Sequence, residues 1–202
     1  MTQLFFKSLL VMLLLASAVC HAQKVARDAE IYIYTKSGNM TVQMGEYKDE
    51  SVITAFMFDD YGAFLRVDEA GGKTWIADVA AKKAYMLNQT NKTYSVIPLV
   101  VACFKARHFL GAINIESPTL KYHPSYKKLP DRVIAGKTCT TISLTDLSNK
   151  NPSAYIYSAW KGIFFRAGMA NGETVFTATA FNDMVPKNSF TVPEDYTLVE
   201  FK

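Results

Sequence analysis

The chain is short of the residues that most often carry catalysis, metal binding and cross-linking. Its 202 residues hold three cysteines and three histidines, and one of each, Cys20 and His21, falls in the apolar N-terminal segment. His108 and His123 remain, and neither has metal-motif spacing. CxxC, HExxH, GxSxG and EF-hand patterns are absent. The stretch AGGKT (70–74) mimics the tail of a phosphate-binding loop, but the required first glycine falls on Val67, so a Gly-Gly hairpin turn is the better reading. A formal net charge of +4 is mild and gives no argument for nucleic acid. No apolar run beyond the first residues reaches membrane-spanning length. The adjacent acids Asp59-Asp60, Asp68-Glu69 and Glu194-Asp195 sit at expected turns and strand ends. Strand neighbours point to opposite faces, so such pairs make poor acid–base couples. These shortages point to a protein without enzymatic activity, metal or cofactor. A hydrolase whose site assembles from distant positions is the remaining enzymatic alternative.

What is present begins with an export signal. Lys7, the apolar run LLVMLLL (9–15) and the small residues of ASAVCHA read as a secretory signal peptide over residues 1–22, cleaved before Gln23. Residues 23–202 then form a single domain. The alternative is lipidation at Cys20, which would anchor the chain to the outer membrane, although Val19 is larger than such a motif prefers before its cysteine. Export also permits a disulfide between the two remaining cysteines, Cys103 and Cys139. The alternative is a pair of buried thiols.

The domain reads mainly as strands. EIYIYTK (30–36), NMTVQMGEY (39–47) and three runs within 51–79 are rich in β-branched and aromatic residues, with turns at 59–62 and 70–72. A hairpin follows around Gln89-Thr90-Asn91. From residue 98 the texture turns helical: Leu99, Ala102, Cys103, Ala106, Phe109, Leu110 and Ile113 fall on one face, with Lys105 and His108 off it, and Pro98 suits the start. A loop is expected over 116–131. Strands resume over 132–146, 154–168, 173–182 and 196–201, with turns at Lys161-Gly162 and Asn171-Gly172. About ten or eleven strands around one helix give a mainly β, β-rich α+β fold: a strongly curved antiparallel half-barrel with the helix covering its concave face.

Several strands are apolar on both sides. In VITAFMF, strict alternation puts Val52, Phe56 and Phe58 on one face and Ile53, Ala55 and Met57 on the other. Such a sheet needs cover on both faces or lines an apolar cavity. The residues expected to line that cavity are Phe56, Phe58, Trp75, Tyr85, Leu87, Tyr157 and Phe164, with Phe109 and Ile113 from the helix. The middle of the chain is basic: Lys105, Arg107, Lys121, Lys127, Lys128, Arg132 and Lys137 face only Glu116 and Asp131 between 105 and 137. The loop KYHPSYKK (121–128) therefore offers a surface for an anionic membrane or an acidic partner; the plainer alternative is a solvated loop.

Four stretches carry a family likeness: TWIADVAAKKAYMLNQTNKTYSVI, RVIAGKTCTTISL, AYIYSAWKGIFFRAG and the ending VPKNSFTVPEDYTLVEF. Together they resemble the superfamily around the periplasmic lipoprotein carriers LolA and LolB, especially its uncharacterised exported relatives in Gram-negative bacteria. The resemblance implies a periplasmic half-barrel with a helical lid, holding a lipid or a lipoprotein acyl chain in its concave cavity. No functional residue carries over from it. A packed envelope scaffold that acts through its surface is the alternative to a ligand carrier.

Overall fold

The computed structural model describes residues 33–45, 52–110, 115, 120, 122–145 and 154–201. Six strands come first: β1 (Gly38–Met44), β2 (Ile53–Asp59), β3 (Phe64–Glu69), β4 (Lys73–Asp78), β5 (Lys83–Asn88) and β6 (Thr93–Val96). Helix α1 (Leu99–Leu110) follows. Then come β7 (Lys127–Ile134), β8 (Lys137–Thr145), β9 (Ala154–Trp160), β10 (Ile163–Met169), β11 (Thr174–Asn182) and β12 (Thr197–Leu198). All twelve strands share one sheet in the order β12-β6-β5-β4-β3-β2-β1-β11-β10-β9-β8-β7. Two antiparallel meanders, β1–β6 and β7–β11, are thus sewn together along β1 and β11. The sheet is curved and open, not closed into a barrel.

Most connections within the meanders are short, and strands joined by two to four residues can only pair antiparallel. Two turns show the chemistry. Ala135-Gly136 and Lys161-Gly162 each span a two-residue hairpin, and all four residues have positive φ (48°, 77°, 48° and 80°). This is the turn whose twist matches the flanking strands, and glycine at the second position removes its Cβ penalty.

Helix α1 follows Pro98, whose carbonyl accepts from Val101 N at 3.0 Å. Ala102, Ala106, Phe109 and Leu110 form its buried stripe, and Arg107 and His108 lie in its last turn, where a positive charge complements the helix dipole. It packs against β3, β4, β5 and β10. The core between it and the sheet includes Phe109 from the helix and Phe56, Phe58, Phe176, Met40 and Leu65 from the strands, all fully buried.

Four expectations change. Residues 33–36 form no strand; Ile33 is buried, and Tyr34 N donates to Lys161 O as part of a covering segment. Residues 30–32 lie outside the described residues. The expected loop over 116–131 ends early, because Lys127 already begins β7. Pro130 is tolerated there since β7 is an edge strand and its register with β8 shifts between Leu129 and Arg132. Strict alternation also fails in β2. The register with β3 slips between Ile53 and Ala55, which pairs Ile53 with Glu69 and buries it, while Val52 is 51 % exposed. Finally, the last strand is only Thr197–Leu198, and it pairs with β6 in parallel.

That parallel pairing has a topological cause. After β11 the chain crosses the sheet face opposite α1. Ser37 Oγ donates to Asp183 O, Arg66 Nη1 donates to Ser189 O at 2.9 Å, and the Phe190 ring lies 5.8 Å from that of Phe64. Lys92 then pairs with Asp195 at 2.8 Å, and Thr197 N donates to Lys92 O. The stretch after β11 is a strap that carries the chain across the sheet to β6, where β12 pairs in parallel.

Candidate functional site

The site is assembled by strand register. Phe109 of α1 stacks on Phe56, with ring centroids 4.8 Å apart, and meets Phe176 edge-on at 5.1 Å. These contacts define the helix-facing side of both meanders. Directly paired residues share a face, so Phe56 leads to Met40 on one side and to Val67, Trp75, Met86 and Ser95 on the other. Phe176 likewise leads to Met44, Ala167, Tyr157 and Ile142. One nearly continuous apolar surface therefore spans most of the sheet.

Its two ends differ. Where Phe109 meets Phe56 it is filled: neither ring has any exposed area. A 12-residue helix is only ~18 Å long, whereas strands repeat about every 4.8 Å across a sheet. In the second meander, Phe164, Tyr157 and Tyr155 stack in succession at 5.1 and 6.2 Å, and both tyrosines are only partly buried.

A polar group interrupts this surface. Glu69, at the end of β3, is buried, and Lys105 of α1 reaches it at 2.8 Å. The same ammonium lies 4.9 Å from the centre of the Trp75 ring. Trp75 is 8 % exposed, and its Nε1–H meets no acceptor among the described residues.

Most of the expected lining residues come together. Phe56, Phe58, Trp75, Phe109, Tyr157 and Phe164 all lie on the helix-facing side. Tyr85 and Leu87 do not. The β4–β5 hairpin is centred between Ala80 and Ala81, so it pairs Trp75 with Met86, Ile76 with Tyr85 and Thr74 with Leu87. Tyr85 and Leu87 thus occupy the opposite face, where Tyr85 meets Tyr94 at 6.2 Å. Ile113 lies outside the described residues. Met86 was missed although the hairpin centre alone would have placed it opposite Trp75. Glu69 and Lys105 were missed because charges were assigned to solvent.

The acids hold structural positions. Asp68 faces away from α1 and accepts from Arg66 Nε at 2.9 Å and Thr74 Oγ1 at 2.6 Å, and Gln89 Nε2 donates to Thr74 Oγ1. Asp59 caps the turn at Asp60. His123 Nδ1 lies 2.9 Å from Ser125 Oγ, but Ser125 Oγ also accepts from Thr145 N, which makes the pair a brace for the loop before β7. Among the described residues, no three His, Cys, Asp or Glu side chains converge to hold a metal ion, and no helix is long and apolar enough to cross a membrane.

Cys103 and Cys139 are free thiols, so no disulfide joins them. Cys139 sits in the β7–β8 ladder opposite Arg132, and its thiol donates to Lys137 O at 3.5 Å. Burial pushes its pKa up to about 11 and raises that of Cys103 as well. The basic middle is less bare than its local sequence. Lys105 is paired with Glu69, Lys128 with Asp131 at 2.6 Å, and Lys137 with Asp183 at 3.2 Å. Lys127 and Lys128 are exposed on the edge strand β7, and Lys121 lies outside the described residues.

No protein-family model matches the chain, and no curated protein matches it. Among solved structures, it is similar to the one titled "Crystal structure of MucB in complex with MucA(peri)", with a TM-score of 0.42 at 10 % identity, over 89 % of this chain and 60 % of that one. This chain therefore spans less than two thirds of that neighbour's length.

Proposed function

We propose that this is an exported, non-enzymatic envelope protein of the periplasm that holds an acyl chain, or another apolar ligand of that kind, between α1 and the curved sheet. The observation that carries the reading is the helix-facing apolar surface. It runs beyond the packed contact of Phe109 to the stacked, only partly buried Tyr155 and Tyr157. Burying each CH₂ of a chain against such a surface contributes about 0.8 kcal/mol, so binding needs no catalytic group. The signal-peptide pattern of residues 1–22 and the LolA-like hairpin pattern support export and a lipid or lipoprotein ligand.

The complete burial of Phe56, Phe109 and Phe176 favours a second reading, in which the interior is already full and the protein is an envelope scaffold. Native mass spectrometry of the mature protein purified from periplasm separates the two. A co-purifying lipid mass is expected for the carrier. Apo protein that also leaves the apolar dye N-phenylnaphthylamine unbound would establish the scaffold instead.

A further inference from the structure

We propose that Trp75 Nε1–H is the donor that fixes the polar end of the ligand, and that this end is an uncharged acyl carbonyl. The inference rests on the carrier reading above and specifies its ligand. Buried donors in native proteins are nearly always paired, so an unpaired one calls for an explanation. Trp75 Nε1 is such a donor among the described residues, on a side chain more than nine-tenths buried. It belongs to the helix-facing row between Val67 and Met86, so an acceptor reaching it has an apolar surface on either side for its hydrocarbon part.

The neighbouring charges select the kind of acceptor. Lys105 lies over the Trp75 ring at 4.9 Å and would attract a carboxylate if it were alone. It is already neutralised by Glu69 at 2.8 Å. A second anion placed there would face the Glu69 carboxylate in a poorly solvated setting, where like charges repel strongly. A neutral carbonyl avoids that cost and satisfies the indole. An ester carbonyl would come from a glycerolipid, and an amide carbonyl from an N-acylated protein terminus.

The test is displacement of N-phenylnaphthylamine, which has no oxygen, from the mature protein and its Trp75→Phe variant. Equal dye binding by both reports the apolar surface and an intact fold. Methyl laurate and N-methyl lauramide are expected to displace dye about five- to tenfold less well from the variant, the loss of one neutral hydrogen bond. The stronger of the two competitors names the source. Laurate itself is expected to compete less well than its methyl ester. Equal competition by the ester and the amide on both proteins, or tighter binding of laurate than of its ester, overturns the proposal while leaving the carrier reading intact. Absence of dye binding to the wild type overturns both.

A wild-type measurement guards against a misfolded variant. The indole ¹⁵N–¹H resonance of Trp75, one of two tryptophans, should move downfield when methyl laurate is added. No movement at saturating ester overturns the assignment.

Discussion

Lys105 Nζ and Glu69 Oε1 lie 2.8 Å apart and tie the covering helix to the sheet through a carboxylate with only 4 % of its side chain exposed. Removing one partner of such a pair strands the other charge. Lys105→Met is therefore expected to destabilise the protein by about 2–3 kcal/mol, less than for a fully buried pair because the ammonium keeps some solvent. The double variant Glu69→Leu/Lys105→Met should recover most of the loss. Urea midpoints at constant slope check both, and a double variant no more stable than the single one would contradict the account.

Phe109 makes two aromatic contacts across the seam of the sheet, to Phe56 and Phe176. Phe109→Ala should cost about 3–5 kcal/mol by transfer and cavity terms together. It should also increase N-phenylnaphthylamine binding, because the filled end of the apolar surface becomes open. Thermal melting and dye titration read the two effects separately.

Tyr85 belongs to the face away from α1, despite its place in an aromatic run. Tyr85→Ser should leave dye affinity unchanged within twofold, whereas Tyr157→Ser should weaken it. A matched loss in the two variants would mean that the dye reports general loosening instead of the helix-facing surface.

Cys139 supplies a prediction on pH. Its folded pKa is raised to about 11, above the ordinary thiol value, so burial of the neutral thiol is fully favourable below pH ~8.5. The unfolded chain ionises first as pH rises, and this share of stability is lost between about 8.5 and 11. Cys139→Ala should flatten that alkaline decline in urea midpoint. In the native protein at pH 8, Cys139 should resist alkylation, as thiolate chemistry requires an accessible ionised sulfur.

The strap after β11 is held by Arg66 Nη1 on Ser189 O and by Phe190 on Phe64. Deleting 197–202 should uncover the edge of β6 and lower solubility, since an unpaired edge invites pairing with another chain. Arg66→Met should destabilise by about 1.5–3 kcal/mol, the range for hydrogen bonds made by a charged group. Light scattering and melting temperature test these; a truncated chain with unchanged melting and no scattering would remove the strap from the stability argument.

The turns were legible in the sequence because their chemistry is local. Lys161-Gly162, Asn171-Gly172 and the glycines at 71 and 72 announced the hairpins, and Pro98 announced the helix. The faces were less legible, because a strand's side assignment depends on counting without error from a turn. One inserted residue near Thr54 exchanged Ile53 with Val52, and an unplaced hairpin centre put Tyr85 and Leu87 where Met86 belongs. Glu69 was hidden for another reason: its partner Lys105 is distant in sequence, and local charge patterns do not reveal such pairing. Likewise, Asp183 pairs with Lys137 from outside the basic stretch.

The seam between β1 and β11 joins residues far apart along the chain, as in the contact from Thr179 Oγ1 to Thr41 O across 138 positions. Each meander assembles from neighbours, but the seam closes one of the costliest loops in the molecule. For a chain threaded across a membrane from its N-terminus, β1–β6 would arrive with β1 unpaired on one flank and β6 on the other. Both flanks would stay open until the later strands emerged, because the strands that complete the first half, β11 on one flank and β12 on the other, follow all of β7–β10 in chain order.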